Sequence, residues 1–199
     1  MINLQGLRRA IGKYFAEPLV KLIAKTPVTP NGLTWIGLLI AVIAAVLAAT
    51  GHLFAAGWVV AFSGLFDMLD GALARFKNQS TRFGSVLDST LDRVGEAVVF
   101  VGLTVFYLNH PSLYGMLATG LTLIGSQLVS YIRARAEAID INCEVGVFTR
   151  PERIIILSLG LLLSQINPVL FIALGLMALL SWITAGQRLF YVWQKTKTN

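Results

Sequence analysis

The 199-residue sequence has a single cysteine, Cys143, and only two histidines, His52 and His110. One cysteine excludes an internal disulfide and any CxxC metal site. A catalytic thiol would need a base, and only those two histidines are at hand. Charge is scarce as well. Only 13% of residues are charged and 56% are hydrophobic, with mean hydropathy +0.73, whereas a soluble domain carries about a quarter charged residues. That balance points to an integral membrane protein. No Pro-, Ser- or charge-rich linker divides the chain, and the length suits one domain over residues 1–199. The start has no continuous apolar core of the length a signal peptide needs, so none is expected.

What charge there is leans positive, with net +6 and pI near 9.8. Lys and Arg are interrupted by long apolar runs, so anionic lipid headgroups and phosphorylated substrates are the expected partners and nucleic acid is not. A membrane-crossing helix needs about 20 mostly apolar residues. Six runs qualify: Leu33 to Thr50, Leu53 to Phe76, Val86 to Leu108, Leu113 to Arg135, Ile154 to Ser164 with Pro151, Glu152 and Arg153 as a first turn, and Pro168 to Trp193. Ahead of them, Leu4, Leu7, Ile11, Phe15, Leu19 and Leu22 recur at helical spacing, predicting an amphipathic helix over residues 2–24 that lies on the membrane surface or packs on the protein. The expected fold is therefore all-α: six transmembrane helices over residues 33–193 plus an N-terminal juxtamembrane helix. Basic residues cluster in the N-terminal segment, around 75–93, around 133–153 and after 187, while the connections near His52, His110 and Asn167 have none. By the positive-inside rule both termini and the charged loops face the cytoplasm, on the cell membrane.

All ten acidic residues fall on that same side. Asp67 and Asp70 share a face of the second span; Asp88 and Asp92 share a face of the third. A carboxylate within a span costs roughly 2.5–3.5 kcal/mol on insertion scales, and four converging ones repel. A divalent cation with a taste for oxygen, Mg²⁺, Mn²⁺ or Ca²⁺, relieves both problems. Ion pairing to Arg75, Lys77, Arg82 and Arg93 is the plainer reading, but it does not account for the small residues Gly71, Ala74, Gly84 and Ser85 between the pairs.

The full string, Asp67-x2-Asp70-Gly71-x2-Ala74-Arg75-x8-Gly84-x3-Asp88-x3-Asp92, resembles the signature of the CDP-alcohol phosphotransferases at every fixed position. The resemblance implies transfer of a phosphatidyl group from CDP-diacylglycerol or an analogue to an alcohol, with two metal ions per site. It implies that Asp67, Asp70 and Asp88 hold one ion, that Asp67, Asp88 and Asp92 hold the other, and that Asp92 is the general base. Asn31, Thr34, Gly71, Ala74, Arg75, Thr81, Gly84 and Ser85 would hold the CDP-lipid. It also implies a homodimer, which small residues such as Gly102 and Gly120 permit. No serine or cysteine nucleophile has a partnered base, so direct in-line transfer is favoured.

A second basic constellation, Ser130-Tyr131-Ile132-Arg133-Ala134-Arg135-Ala136-Glu137 and then Gly146-x3-Arg150-x-Glu152-Arg153, bears on the acceptor. Arginine suits bidentate binding of phosphate, although loops on this side of a membrane are often basic for topology alone. The strings are similar to the branch of the family whose acceptor is inositol phosphate, where the position of Arg133 can be Lys. That similarity implies that Ser130, Arg133, Arg135, Arg153 and Arg188 hold the acceptor phosphate. Glycerol 3-phosphate would suit the same arginines. A reading of a different class, a cation channel or transporter with an acidic midplane site, stays open at this level.

Overall fold

The computed structural model describes residues 17–77, 79 and 81–197. Residues 2–16 of the expected surface helix, and the side chain of Asp70, lie outside the described residues. The described chain is all-helical: α1 (Glu17–Ala24), α2 (Pro30–Ala49), α3 (Leu53–Phe76), α4 (Arg82–Asn109), α5 (Leu113–Glu137), α6 (Arg150–Leu162) and α7 (Val169–Lys197). Helices α2 to α7 coincide with the six apolar runs, and polar caps explain the earlier starts. The Thr29 hydroxyl accepts from Gly32 N–H at 3.1 Å, and Pro30, with no N–H to lose, opens α2 ahead of its apolar run. The Thr81 hydroxyl accepts from Gly84 N–H at 2.9 Å, which starts α4 before Val86. At α6 the Glu152 carboxylate reaches back to Thr149 N–H at 2.8 Å.

Helix α2 packs against both α3 and α4, whereas direct contact between α3 and α4 is sparse among the described residues. The α2–α4 contact depends on missing side chains: a Cβ on Gly102 would stand 2.3 Å from the Ala45 carbonyl oxygen. Gly102 is thus engaged within the chain, while Gly120 has open space around it. Two more glycines seat α6 on α3. A Cβ on Gly57 would lie 2.8 Å from Leu162 N, and one on Gly64 would lie 2.8 Å from Ile154 Cγ2. The main core closes around Phe100, Leu103, Leu161, Leu174 and Met177, all fully buried. A smaller cluster, Val20, Leu33, Leu69 and Leu73, docks α1 on α3. Next to it, Lys77 Nζ donates to the carbonyls of Thr26 at 3.2 Å and Val28 at 2.8 Å.

Among the described residues, three helices are by length and composition long and apolar enough to cross a membrane: α2, α5 and α7. Six are expected from the sequence, and the shortfall has a physical origin. Helix α3 is apolar only over Leu53–Gly64 before its aspartates begin, α4 has charge in its first half, and α6, with 13 residues, spans only about 20 Å. The outer surface is lipid-like all the same. Trp35, Ile36, Leu39, Ile43 and Val46 form one exposed stripe of α2, and Phe171, Ile172, Leu176, Leu179 and Ile183 do so on α7. Apolar faces of this extent are what a bilayer covers.

The α2–α4 crossing gives a direct test. Gly102→Val forces a side chain against backbone and is expected to destabilise by about 1–3 kcal/mol, as overpacking does. Gly175→Ala, where nothing lies within 4 Å, is expected to leave the melting temperature in detergent unchanged. Equal melting of the two variants would refute the close crossing.

Candidate active site

Three helices deliver charge to one place. Helix α3 brings Asp67, α4 brings Asp88, Asp92 and Glu96, and α6 brings Arg150 and Arg153. Because α3 and α4 each rest on α2, a gap remains between them into which these side chains project. Asp67, Asp88 and Asp92 each offer an oxygen within 4.8 Å of the others, and all three are half-buried. Asp70 shares the α3 backbone one turn on. The donors are hard carboxylate oxygens on rigid helices, with no histidine or thiolate among them, and they fit Mg²⁺ or Mn²⁺.

Arg150 stands at the same spot. Its Nη1 pairs with Asp67 Oδ2, and its Nη2 lies 2.8 Å from Asp92 Oδ1. One guanidinium thus bridges α3 and α4, while its Nε is buried without a hydrogen-bond partner among the described residues. Set against three carboxylates, a single positive charge leaves the cluster attractive to a cation. One turn further along α6, Arg153 is almost wholly buried and binds Glu96 through Nε–Oε1 at 2.6 Å and Nη2–Oε2 at 2.9 Å.

A cavity of about 310 Å³ opens beside Asp88. Asn31, Thr34, Gly71, Ala74, Arg75, Thr81, Gly84 and Ser85 all line it, together with Pro30 and Gln79. Every residue that the sequence motif implies for the nucleotide therefore meets at one cavity, with a member of the acidic cluster in its wall. Small residues make the room: a Cβ on Gly84 would lie 2.9 Å from Thr81 Oγ1 and 3.1 Å from Asn31 Oδ1. A second, smaller cavity of about 60 Å³ runs inward from the carboxylates, with Asp67, Asp92, Glu96, Arg150 and Arg153 in its wall.

The arginines implied for the acceptor are placed less uniformly. Arg133 is exposed and pairs with Glu137 at 2.8 Å, and Arg135 is exposed on the same helix. Ser130 is half-buried. Arg153 turns to Glu96. Arg188 is buried and donates to the carbonyls of Val145 at 2.9 Å and Val129 at 2.5 Å. Arg188 is thus held by backbone carbonyls, while Arg133 and Arg153 each have a carboxylate partner.

The sequence reading places Arg150 in the second basic constellation but does not pair it with the aspartates, and it does not single out Glu96 or Gln79. The signal for Glu96 is present nonetheless, because it extends the Asp88–Asp92 stripe by one more interval of four.

The sequence model of the CDP-alcohol phosphatidyltransferase family matches residues 27–192. The phosphatidylinositol phosphate synthase of Mycobacterium marinum is 41% identical over 94% of this chain and 83% of its own. The archaetidylinositol phosphate synthase of Methanothermobacter thermautotrophicus is 37% identical over 95% of this chain and 94% of its own. Among solved structures, Mycobacterium tuberculosis phosphatidylinositol phosphate synthase with CDP-DAG bound superposes with TM-score 0.82 at 39% identity, covering 90% of this chain and 94% of that one. The same protein has also been solved with manganese and citrate. This chain belongs to the CDP-alcohol phosphatidyltransferase family. It is a multi-pass membrane enzyme of phospholipid biosynthesis, which sets aside the channel or transporter reading.

One backbone feature sets the position of Arg188. Gly146 has φ +121°, and a Cβ there would lie 2.5 Å from Thr184 Cγ2. The neighbouring Val145 carbonyl is the one Arg188 Nε binds. Gly146→Val is expected to push this loop off α7, lowering the melting temperature in detergent and speeding amide exchange around Val145; an unchanged melt and exchange pattern would sink this account.

Proposed function

We propose that the chain transfers the phosphatidyl group of CDP-diacylglycerol, or of an ether-lipid analogue, to a hydroxyl of inositol phosphate, releasing CMP. The observation that carries this reading is the cluster of Asp67, Asp88 and Asp92, of which Asp88 stands in the wall of a cavity lined by all eight residues implied for the CDP-lipid. The relatives named for inositol phosphate products support the acceptor. The complex of the mycobacterial relative with CDP-DAG supports the donor.

In this mechanism Asp67, Asp70, Asp88 and Asp92 hold two divalent ions. When bound, such ions would supply positive charge that offsets the charge of the pyrophosphate and of the departing CMP. Asn31, Thr34, Arg75, Thr81 and Ser85 bind the cytidine and its phosphates, while Gly71, Ala74 and Gly84 let the nucleotide approach the backbone. Asp92 takes the proton from the acceptor hydroxyl. The freed oxygen forms a bond to the phosphorus that carries diacylglycerol, and the bond from that phosphorus to CMP breaks. Asp92 has one oxygen, Oδ1, on Arg150, which fixes the orientation of the carboxylate that receives the proton. Ser130, Arg133, Arg135, Arg153 and Arg188 bind the acceptor phosphate. All six helices α2 to α7 cross or enter the bilayer with the charged ends cytoplasmic, and two copies associate as a homodimer.

The assay that decides this incubates purified protein with labelled CDP-diacylglycerol, Mg²⁺ or Mn²⁺, and inositol phosphate or glycerol 3-phosphate. Product lipid and CMP are expected with inositol phosphate, and a chelator is expected to stop turnover. Turnover with glycerol 3-phosphate alone would overturn the acceptor, and turnover in excess chelator would overturn the metal.

A second experiment isolates the base. Asp92→Asn is expected to cut turnover by about 10²–10⁴-fold, the usual contribution of a positioned base, with CDP-lipid binding still measurable. Turnover above a tenth of wild type would remove Asp92 from that role.

A further inference from the structure

Asp92 and Glu96 stand four apart on α4, and Arg150 and Arg153 stand three apart on α6, so each pair makes a stripe on its own helix. The stripes meet as two rungs. Arg150 pairs with Asp92 and across to Asp67, while Arg153 pairs with Glu96. The second rung is the more deeply buried. The Arg153 and Glu96 side chains are 2% and 10% exposed, against 27% and 19% for Arg150 and Asp92.

Two features separate this pair from an ordinary helix-to-helix tie. Both carboxylate oxygens are used, on Nε and Nη2, and a two-point bond of that kind fixes the plane of the guanidinium as well as its distance. The pair also sits in the wall of the small cavity that contains Asp67 and Asp92. Glu96 takes the Nε–Nη2 side of the fork, so the Nη1 side is what Arg153 can turn toward an anion. Arg153 is one turn from Arg150 and lines the same cavity as the carboxylates of Asp67 and Asp92.

We propose that Glu96 is a positioning residue for the acceptor: it orients Arg153 toward the acceptor phosphate and keeps that guanidinium off Asp67 and Asp92. This rests on the reading of Arg153 as a phosphate-binding residue. Glu96 touches neither substrate, and its effect passes through Arg153.

The test uses the full chain in detergent with CDP-diacylglycerol, Mg²⁺ and inositol phosphate, and compares KM for each substrate in wild type, Glu96→Gln, Glu96→Asp, Arg153→Gln and the Glu96→Gln/Arg153→Gln double variant. Arg153→Gln and Glu96→Gln are each expected to raise the acceptor KM by about tenfold or more, the size of a lost charge-assisted hydrogen bond, with the donor KM within about twofold of wild type. The double variant is expected to match Arg153→Gln alone, because a residue acting only through Arg153 has nothing left to position. If Arg153→Gln leaves the acceptor KM unchanged, the reading of Arg153 fails and the proposal fails with it. If Arg153→Gln raises it and Glu96→Gln does not, or if the two effects add in the double variant, the role of Glu96 alone is overturned. A rise in both KM values together for Glu96→Gln means general damage to the site and also overturns it. Should Glu96→Gln not fold, Glu96→Asp decides. Its shorter carboxylate keeps the charge, and a smaller, acceptor-only rise is expected, whereas a wild-type acceptor KM refutes the proposal.

Discussion

The central constraint on this protein is that several carboxylates must sit near the edge of an apolar bundle without driving it apart. Arg150 answers part of that constraint by lying between Asp67 and Asp92, and the helix arrangement makes the bridge possible. Helices α3 and α4 do not close on each other; both lean on α2, and the space left between them is where the side chains meet. The glycine contacts set the spacing. Gly102 lets α4 approach α2, and Gly57 and Gly64 let α6 approach α3. Arg150 lies one turn before Ile154, which fills the space over Gly64, and Asp67 lies one turn after Gly64. Packing of apolar and small residues therefore determines where the charges land.

The two halves of the site are built differently. The half implied for the nucleotide is made from helix ends and small residues, and two of its members, Thr29's neighbour Asn31 and the cap residue Thr81, belong to N-terminal turns that the fold needs in any case. The half implied for the acceptor is made from arginines with partners of their own: Glu137 for Arg133, Glu96 for Arg153, and two backbone carbonyls for Arg188. A buried guanidinium without such a partner is costly. Pairing also restricts each arginine to a few directions.

Much of this was legible in the sequence, and the reasons are specific. Apolar runs mark helices because lipid and core both demand apolar faces, so α2 to α7 fall where the hydropathy places them. The aspartate motif is legible because its spacing is local, and an interval of three or four puts residues on one helix face. The eight residues that the family resemblance implies for the nucleotide line one cavity, and most of them lie within one helix–turn–helix segment. The pairings of Arg150 with Asp67 and of Arg153 with Glu96 depend on how α6 docks against α3 and α4, across 83 and 57 positions of chain, and no local pattern encodes those pairings. Composition likewise marks apolar segments more readily than lengths: α6 reads as a span in hydropathy but is only 13 residues long.

The Lys77 ammonium links two pieces of chain: the end of α3, on which it sits, and the connection from α1 to α2, through the carbonyls of Thr26 and Val28. From Val28 to Asn31 is three residues, part of them already in the first turn of α2. There is little slack in so short a stretch. In mechanical terms α1, the lip of the larger cavity and the end of the aspartate helix are tied to one another through a single side chain and a short stretch of backbone.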